Sequence, residues 1–135
     1  MESWSDMISG LKIQELSDAI RVKKENGTEV YYYIFDEYEI HLNKILPGSI
    51  QEWHFHSEIE ETIVVTKGKL RCRWIENDME KDSCIESGEL VRVGNSIHTF
   101  ENDTDDVAEF IVFRFVPDGL DKKECIKRDK TVVKR

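Results

Sequence analysis

The sequence predicts an all-β domain, a sandwich or a barrel, and three observations carry that expectation. Runs rich in Val, Ile, Tyr and Phe recur at short intervals, many alternating apolar with polar residues as half-buried strands do. Turn residues punctuate them, as at Asn26-Gly27, Pro47-Gly48, Gly94-Asn95 and Pro117-Asp118-Gly119. No long helical period separates the runs, so a strand–helix alternation is not expected.

The elements follow in chain order. Residues 1–18 form an N-terminal arm in which Met7, Ile8, Leu11 and Leu16 suggest one side of a short helix that Gly10 weakens. A single domain follows over residues 19–117. Its first hairpin joins AIRVKK to EVYYYIFD, because Asn26-Gly27 offers the positive φ a tight turn needs. On the second strand Tyr32 points one way, Tyr31 and Tyr33 the other. In YEIHLNKIL, Ile40, Leu42 and Lys44 share one face, and Glu39, His41 and Asn43 the other. QEWHFH and ETIVVTKG are the next two strands. In KLRCRWIEN, Leu70, Cys72 and Trp74 alternate with Lys69, Arg71 and Arg73. Residues 77–82 are polar and read as a turn, and residues 84–87 as a short strand or connection. GELVRVGNSIHTFEN reads as strand, turn and strand, and residues 102–106 as a loop. VAEFIVFRFVP is the last core strand, stopped by Pro117. The charged tail, residues 118–135, keeps Val132 and Val133 as its main apolar pair.

Composition narrows the function. At 135 residues and 39% hydrophobic, the chain has enough apolar matter for a sizeable core. A net charge of −9 disfavours nucleic acid and anionic membrane surfaces as partners. No apolar run reaches the ~18 residues of a membrane span. The opening MESWSDMISG carries acids and no basic stretch, so no signal peptide is expected. Cys72, Cys84 and Cys125 are odd in number and have no CxxC spacing, which suits a reduced, cytoplasmic chain.

Chemistry concentrates in residues 47–68, PGSIQEWHFHSEIEETIVVTKG. Along a strand, His54 and His56 share one face with Cα atoms about 6.5 Å apart, so two imidazoles can converge on one ion. A hairpin through residues 57–60 brings Glu61 back beside them. His98, in VRVGNSIHTFEN, is the candidate fourth ligand.

This arrangement resembles the cupin superfamily. The family's first motif is Gly, five residues, His-x-His, three or four residues, Glu, six residues, Gly. Gly48, His54, His56, Glu61 and Gly68 fit every spacing. Gly88, His98 and Asn102 match the ends of the second motif. Between them Gly94-Asn95-Ser96 stands where the family has a Pro-x-Gly turn, and the segment is one residue shorter. The resemblance implies a cupin jelly-roll barrel. It also implies one divalent transition metal on His54, His56, Glu61 and His98, with Fe, Mn, Zn, Ni and Cu all suited to three nitrogens and an oxygen.

Other residues divide between chemistry and structure. Glu58 and Glu60 compete with Glu61 for the carboxylate ligand. Glu52 shares parity with the two histidines and is a candidate base, or an acceptor orienting an imidazole. Arg114, flanked by apolar residues, is a candidate clamp for a substrate carboxylate, or half of an ion pair. Tyr32 and Phe100 line the cavity mouth or pack in the core. His41 reads as a surface or satisfied core residue.

Two functions fit. One is a metal-dependent enzyme of dioxygenase, isomerase or lyase type acting on a small polar metabolite. The other is a non-catalytic barrel that binds or senses a small molecule. Small barrels of this kind often pair through sheet edges, and Trp4 and Val132-Val133 mark such edges, so a homodimer is expected.

Overall fold

A computed structural model describes residues 10–116, 127 and 129–134. Two antiparallel sheets pack face to face. The strands are β1 Ile20–Lys23, β2 Thr28–Ile34, β3 Tyr38–Ile45, β4 His54–Phe55, β5 Glu60–Lys67, β6 Lys69–Glu76, β7 Met79–Glu86, β8 Leu90–Arg92, β9 His98–Glu101, β10 Ala108–Phe115 and β11 Thr131–Val132. One sheet has the order β1-β2-β3-β10-β5-β8, the other β11-β4-β9-β6-β7. The expected all-β jelly roll is the observed architecture.

The interior grades from polar to apolar along the three central strands. Its buried positions are Glu39, His41, Asn43 and Ile45 on β3, and Glu61, Ile63 and Val65 on β5. On β10 the inward row runs from Ala108 through Phe110 and Val112 to Arg114. Register aligns these gradients: Ala108 lies opposite Ile45, while Arg114 lies opposite both Glu39 and Glu61. The apolar end joins Leu70, Cys72 and Phe100 from the other sheet. Each large aliphatic or aromatic side chain buried there contributes about 1.5–3 kcal/mol. The polar end is left for chemistry.

The alternation within YEIHLNKIL is as the sequence indicates, but its polar face is the inward one. Ile40 and Leu42 lie on the outer face of the sheet. The first turn also differs from a two-residue turn. Gly27 alone takes positive φ, at 88°, its N–H donates to the Lys24 carbonyl at 3.2 Å, and Lys24 N–H donates to Thr28 O at 2.8 Å.

Two readings are corrected. Residues 79–86 are one eight-residue strand, not a turn and a short connection. Asn77 and Asp78 alone make the turn, with φ of 52° and 62°, and Glu76 pairs with Met79 across it. The strand escapes notice because it is an edge, wet on both faces, so no apolar alternation marks it. QEWHFH contributes only the two residues of β4, joined by an isolated bridge between Ile50 and Glu101. In the arm, Leu16–Asp18 is a 3-10 turn, Leu11 is 87% exposed, and the Glu15 carbonyl accepts from the Tyr33 hydroxyl at 3.4 Å. Trp4, Met7, Ile8, Pro117 and Cys125 lie outside the described residues.

Candidate metal centre

His54 and His98 face each other as the paired residues of β4 and β9. His56 follows the end of β4 and turns inward beside them. The ring centroids stand 4.5 Å apart for His54–His98, 5.1 Å for His54–His56 and 5.9 Å for His56–His98. One ligand nitrogen from each lies within 4.8 Å of the others. All three are buried.

The tautomers follow from the hydrogen bonds. His54 Nδ1 donates to the Glu52 carbonyl at 2.9 Å, His98 Nδ1 to the Ser96 carbonyl at 2.9 Å, and His56 Nδ1 to the Asp129 carbonyl. A proton on each Nδ1 leaves each Nε2 with a lone pair, the form a metal-ligating histidine takes. His56 Nε2 and His98 Nε2 are buried with no hydrogen-bond partner among the described residues. An orphaned buried nitrogen costs about 1–3 kcal/mol, and two aimed at one point fit a bound cation. Burial pushes the His54 imidazole down to about 3 and lowers that of His98, so both stay neutral.

Glu61 enters from β5. Its Oε2 stands 2.7 Å from His56 Nε2, out of line for a hydrogen bond, and accepts from Arg114 Nε at 3.0 Å. Burial alone would raise this carboxyl. The Arg114 guanidinium more than offsets burial and holds it well below the usual carboxylate range. The nitrogens that converge within 4.8 Å are those of the three histidines, and Glu61 stands beside them rather than in that group. Glu58 is exposed, and Glu60 pairs loosely with Arg92 at 3.7 Å.

The site opens on a cavity of about 480 Å³ lined by Tyr32, His41, Asn43, His54, Glu61 and Arg114, with Lys24, Glu52 and Lys130 also on its wall. Arg114 thus lines the cavity and is half of an ion pair. Glu52 turns its carboxylate to Lys130, and it is its backbone carbonyl, not its side chain, that orients His54. Phe100 is core, 1% exposed, whereas Tyr32 lines the cavity. His41 is a satisfied inward residue rather than a surface one. It lines the cavity, is 3% exposed, and its Nε2 donates to Glu39 Oε1 at 2.7 Å. The signal was the Glu39-x-His41-x-Asn43 stripe, which parity finds but cannot assign to inside or outside.

The second motif's shortened middle still delivers His98. Ser96 N–H donates to Val93 O at 3.2 Å, closing a turn, and the Ser96 carbonyl then holds the imidazole. Asn102 is structural. Its amide donates to Ile45 O at 2.9 Å and Asp106 O at 2.7 Å and accepts from Thr104, pinning the loop to the end of β3.

No protein-family model matches the chain, and no curated protein matches it in sequence. Solved structures match well. Oxalate decarboxylase of Bacillus subtilis superposes with a TM-score of 0.67 at 19% identity, over 87% of this chain and 31% of that one. Oxalate decarboxylase of Lactobacillus farciminis, in complex with formate, gives 0.63 at 17% identity, over 76% and 32%. CapF with a tropolone inhibitor gives 0.69 at 17% identity, over 87% and 34%. The paired sheets and these superpositions define a cupin-type jelly roll. This chain has the cupin fold, and it spans about a third of the length of the proteins it superposes on. No helix among the described residues is long and apolar enough to cross a membrane.

Proposed function

We propose that this barrel is a metal-dependent enzyme acting on a small polar metabolite held in the cavity. The observation that carries the reading is the convergence of His54, His56 and His98, each with Nδ1 on a backbone carbonyl and Nε2 left for a ligand. These three imidazoles would hold one divalent transition metal, with Glu61 as the carboxylate ligand. Fe, Mn, Zn, Ni and Cu remain the candidates, and the Mn(II) centres of the Bacillus subtilis oxalate decarboxylase favour keeping Mn among them. When bound, such an ion supplies Lewis acidity or a platform for dioxygen, which suits dioxygenase, isomerase or lyase chemistry.

The chain's own residues then bind and move protons. Arg114 fixes the Glu61 carboxylate and keeps it ionised. His41, kept neutral by burial and donating through Nε2 to Glu39, would offer its unprotonated Nδ1 as a proton acceptor at the cavity wall. Tyr32 packs edge-on against its ring at 4.4 Å and holds it in place. Glu52 is held by Lys130 on the cavity wall, which favours a structural part over that of a base.

Elemental analysis of untagged protein beside His54→Ala tests the proposal. Near one equivalent of a single transition metal, lost in the variant, supports it. No metal, and none taken up on dialysis, sinks it. Metal without turnover on carboxylic acids, sugars, keto acids or phenols would favour the binding barrel instead.

A homodimer is part of the proposal. Tyr38, Leu90, Phe113 and Phe115 lie on the outer face of the six-stranded sheet and are 38–56% exposed, an apolar patch that suits a second copy. β11 lies on β4 of its own chain and forms the edge of that sheet. Cys72 and Cys84 are free, which suits a cytoplasmic location.

A further inference from the structure

His56 lies just beyond the two-residue β4, so no ladder hydrogen bond of that strand holds it. Its support comes from a distant segment. The Asp129 backbone carbonyl accepts from His56 Nδ1. The Asp129 carboxylate is itself anchored. It accepts from the backbone N–H of Ser57 at 3.0 and 3.1 Å, of Glu58 at 2.5 Å and of Ile59 at 2.9 Å, and from Ser57 Oγ at 2.8 Å. Three successive N–H groups turned to one point form an anion-binding nest. Here the chain supplies its own anion. The residues that follow secure the same segment. Lys130 pairs with Glu52, whose carbonyl holds His54; Val132 lies opposite His54 in β11; and Val133 N–H donates to Trp53 O at 2.9 Å.

We infer that Asp129 is a positioning residue: its carboxylate, locked into the nest of residues 57–59, fixes the carbonyl that orients His56. Residues 129–133 are thereby a clamp on the candidate metal centre. The metal half of the test rests on the function proposed above, whereas the orientation of His56 does not.

The test has two arms. Ring-nitrogen NMR of 15N-labelled, metal-free protein reads the tautomer of each histidine. Wild type is expected to hold His56 as the Nδ1–H form. Asp129→Ala is expected to turn His56 into a tautomer mixture while His54 and His98 keep their signals. Asp129→Asn, which retains an acceptor oxygen, is expected to fall between them and serves if the alanine variant does not fold. Co(II) titration with a competing chelator is the second arm, with 10–100-fold weaker binding and an altered visible spectrum expected for Asp129→Ala. Unchanged His56 signals in folded variants, or all three histidines moving together, would overturn the proposal. If wild type binds no Co(II), the metal reading falls and the NMR arm still decides the role of Asp129.

Discussion

Glu61 and Arg114 lie opposite each other on β5 and β10, and the carboxylate oxygen that accepts from Arg114 Nε at 3.0 Å also stands 2.7 Å from His56 Nε2, without a hydrogen bond between them. The guanidinium therefore keeps the acid ionised beside the imidazoles before any cation arrives. Removing one member of a buried pair leaves the other charged and unmatched, which costs about 3–5 kcal/mol.

Arg114→Met is thus expected to destabilise the metal-free protein by about that amount, lessened because Arg114 keeps some contact with solvent. The double variant Glu61→Leu/Arg114→Met is expected to recover much of the loss. Urea denaturation of the four proteins checks this, and a loss in the double variant equal to the sum of the two single losses would show that the pair is not coupled.

Acid is expected to destabilise the metal-free protein through its histidines. Burial pushes His54 down to about 3 and lowers His41 and His98. In the unfolded chain these rings protonate below about pH 6.5. The unfolded state then binds more protons than the folded one, so stability falls as pH drops from there toward 3. Each unit of depression corresponds to about 1.4 kcal/mol. Urea midpoints in the presence of a chelator should decline over that window, and His54→Gln should flatten the decline. A flat wild-type profile would contradict the burial argument.

Gly68 is a motif residue with a steric reason. It ends β5 at φ 74°, and an added Cβ would sit 3.0 Å from Val107 O and 3.2 Å from Ala108 Cα, both backbone. Gly68→Ala is expected to cost about 1–3 kcal/mol. Thermal unfolding reads the loss, whereas a midpoint unchanged from wild type would mean that the turn relaxes freely.

The outer sheet face gives a prediction on assembly. Phe113→Glu places a charge in the patch of Tyr38, Leu90 and Phe115 and should convert a dimer to a monomer. Light scattering at micromolar concentration decides it, and a monomeric wild type would remove the proposed dimer.

What the sequence made legible was local. His54 and His56 are read from strand parity, and His98 from its place after a turn, because such spacings translate directly into geometry. The polar stripe of β3 was equally visible, yet parity does not say which face is inward, so His41 kept a minor role. β7 was hidden because an edge strand wet on both sides needs no apolar alternation. The supports of the imidazoles were hidden for a different reason. They are backbone carbonyls, which every residue has, and the one that holds His56 lies 73 positions away.

That distance sets a timetable. Strand pairings between remote segments form late, and a chain emerges from the ribosome with its N-terminal part first. His54, His56 and His98 are all synthesised before the residue that steadies the second of them. A nascent barrel would thus carry its three inward histidines for some time with one of them unaimed. On the function proposed above, capture of an ion by all three rings would wait until residue 129 has docked, so that loading would follow closure of the barrel that must contain it.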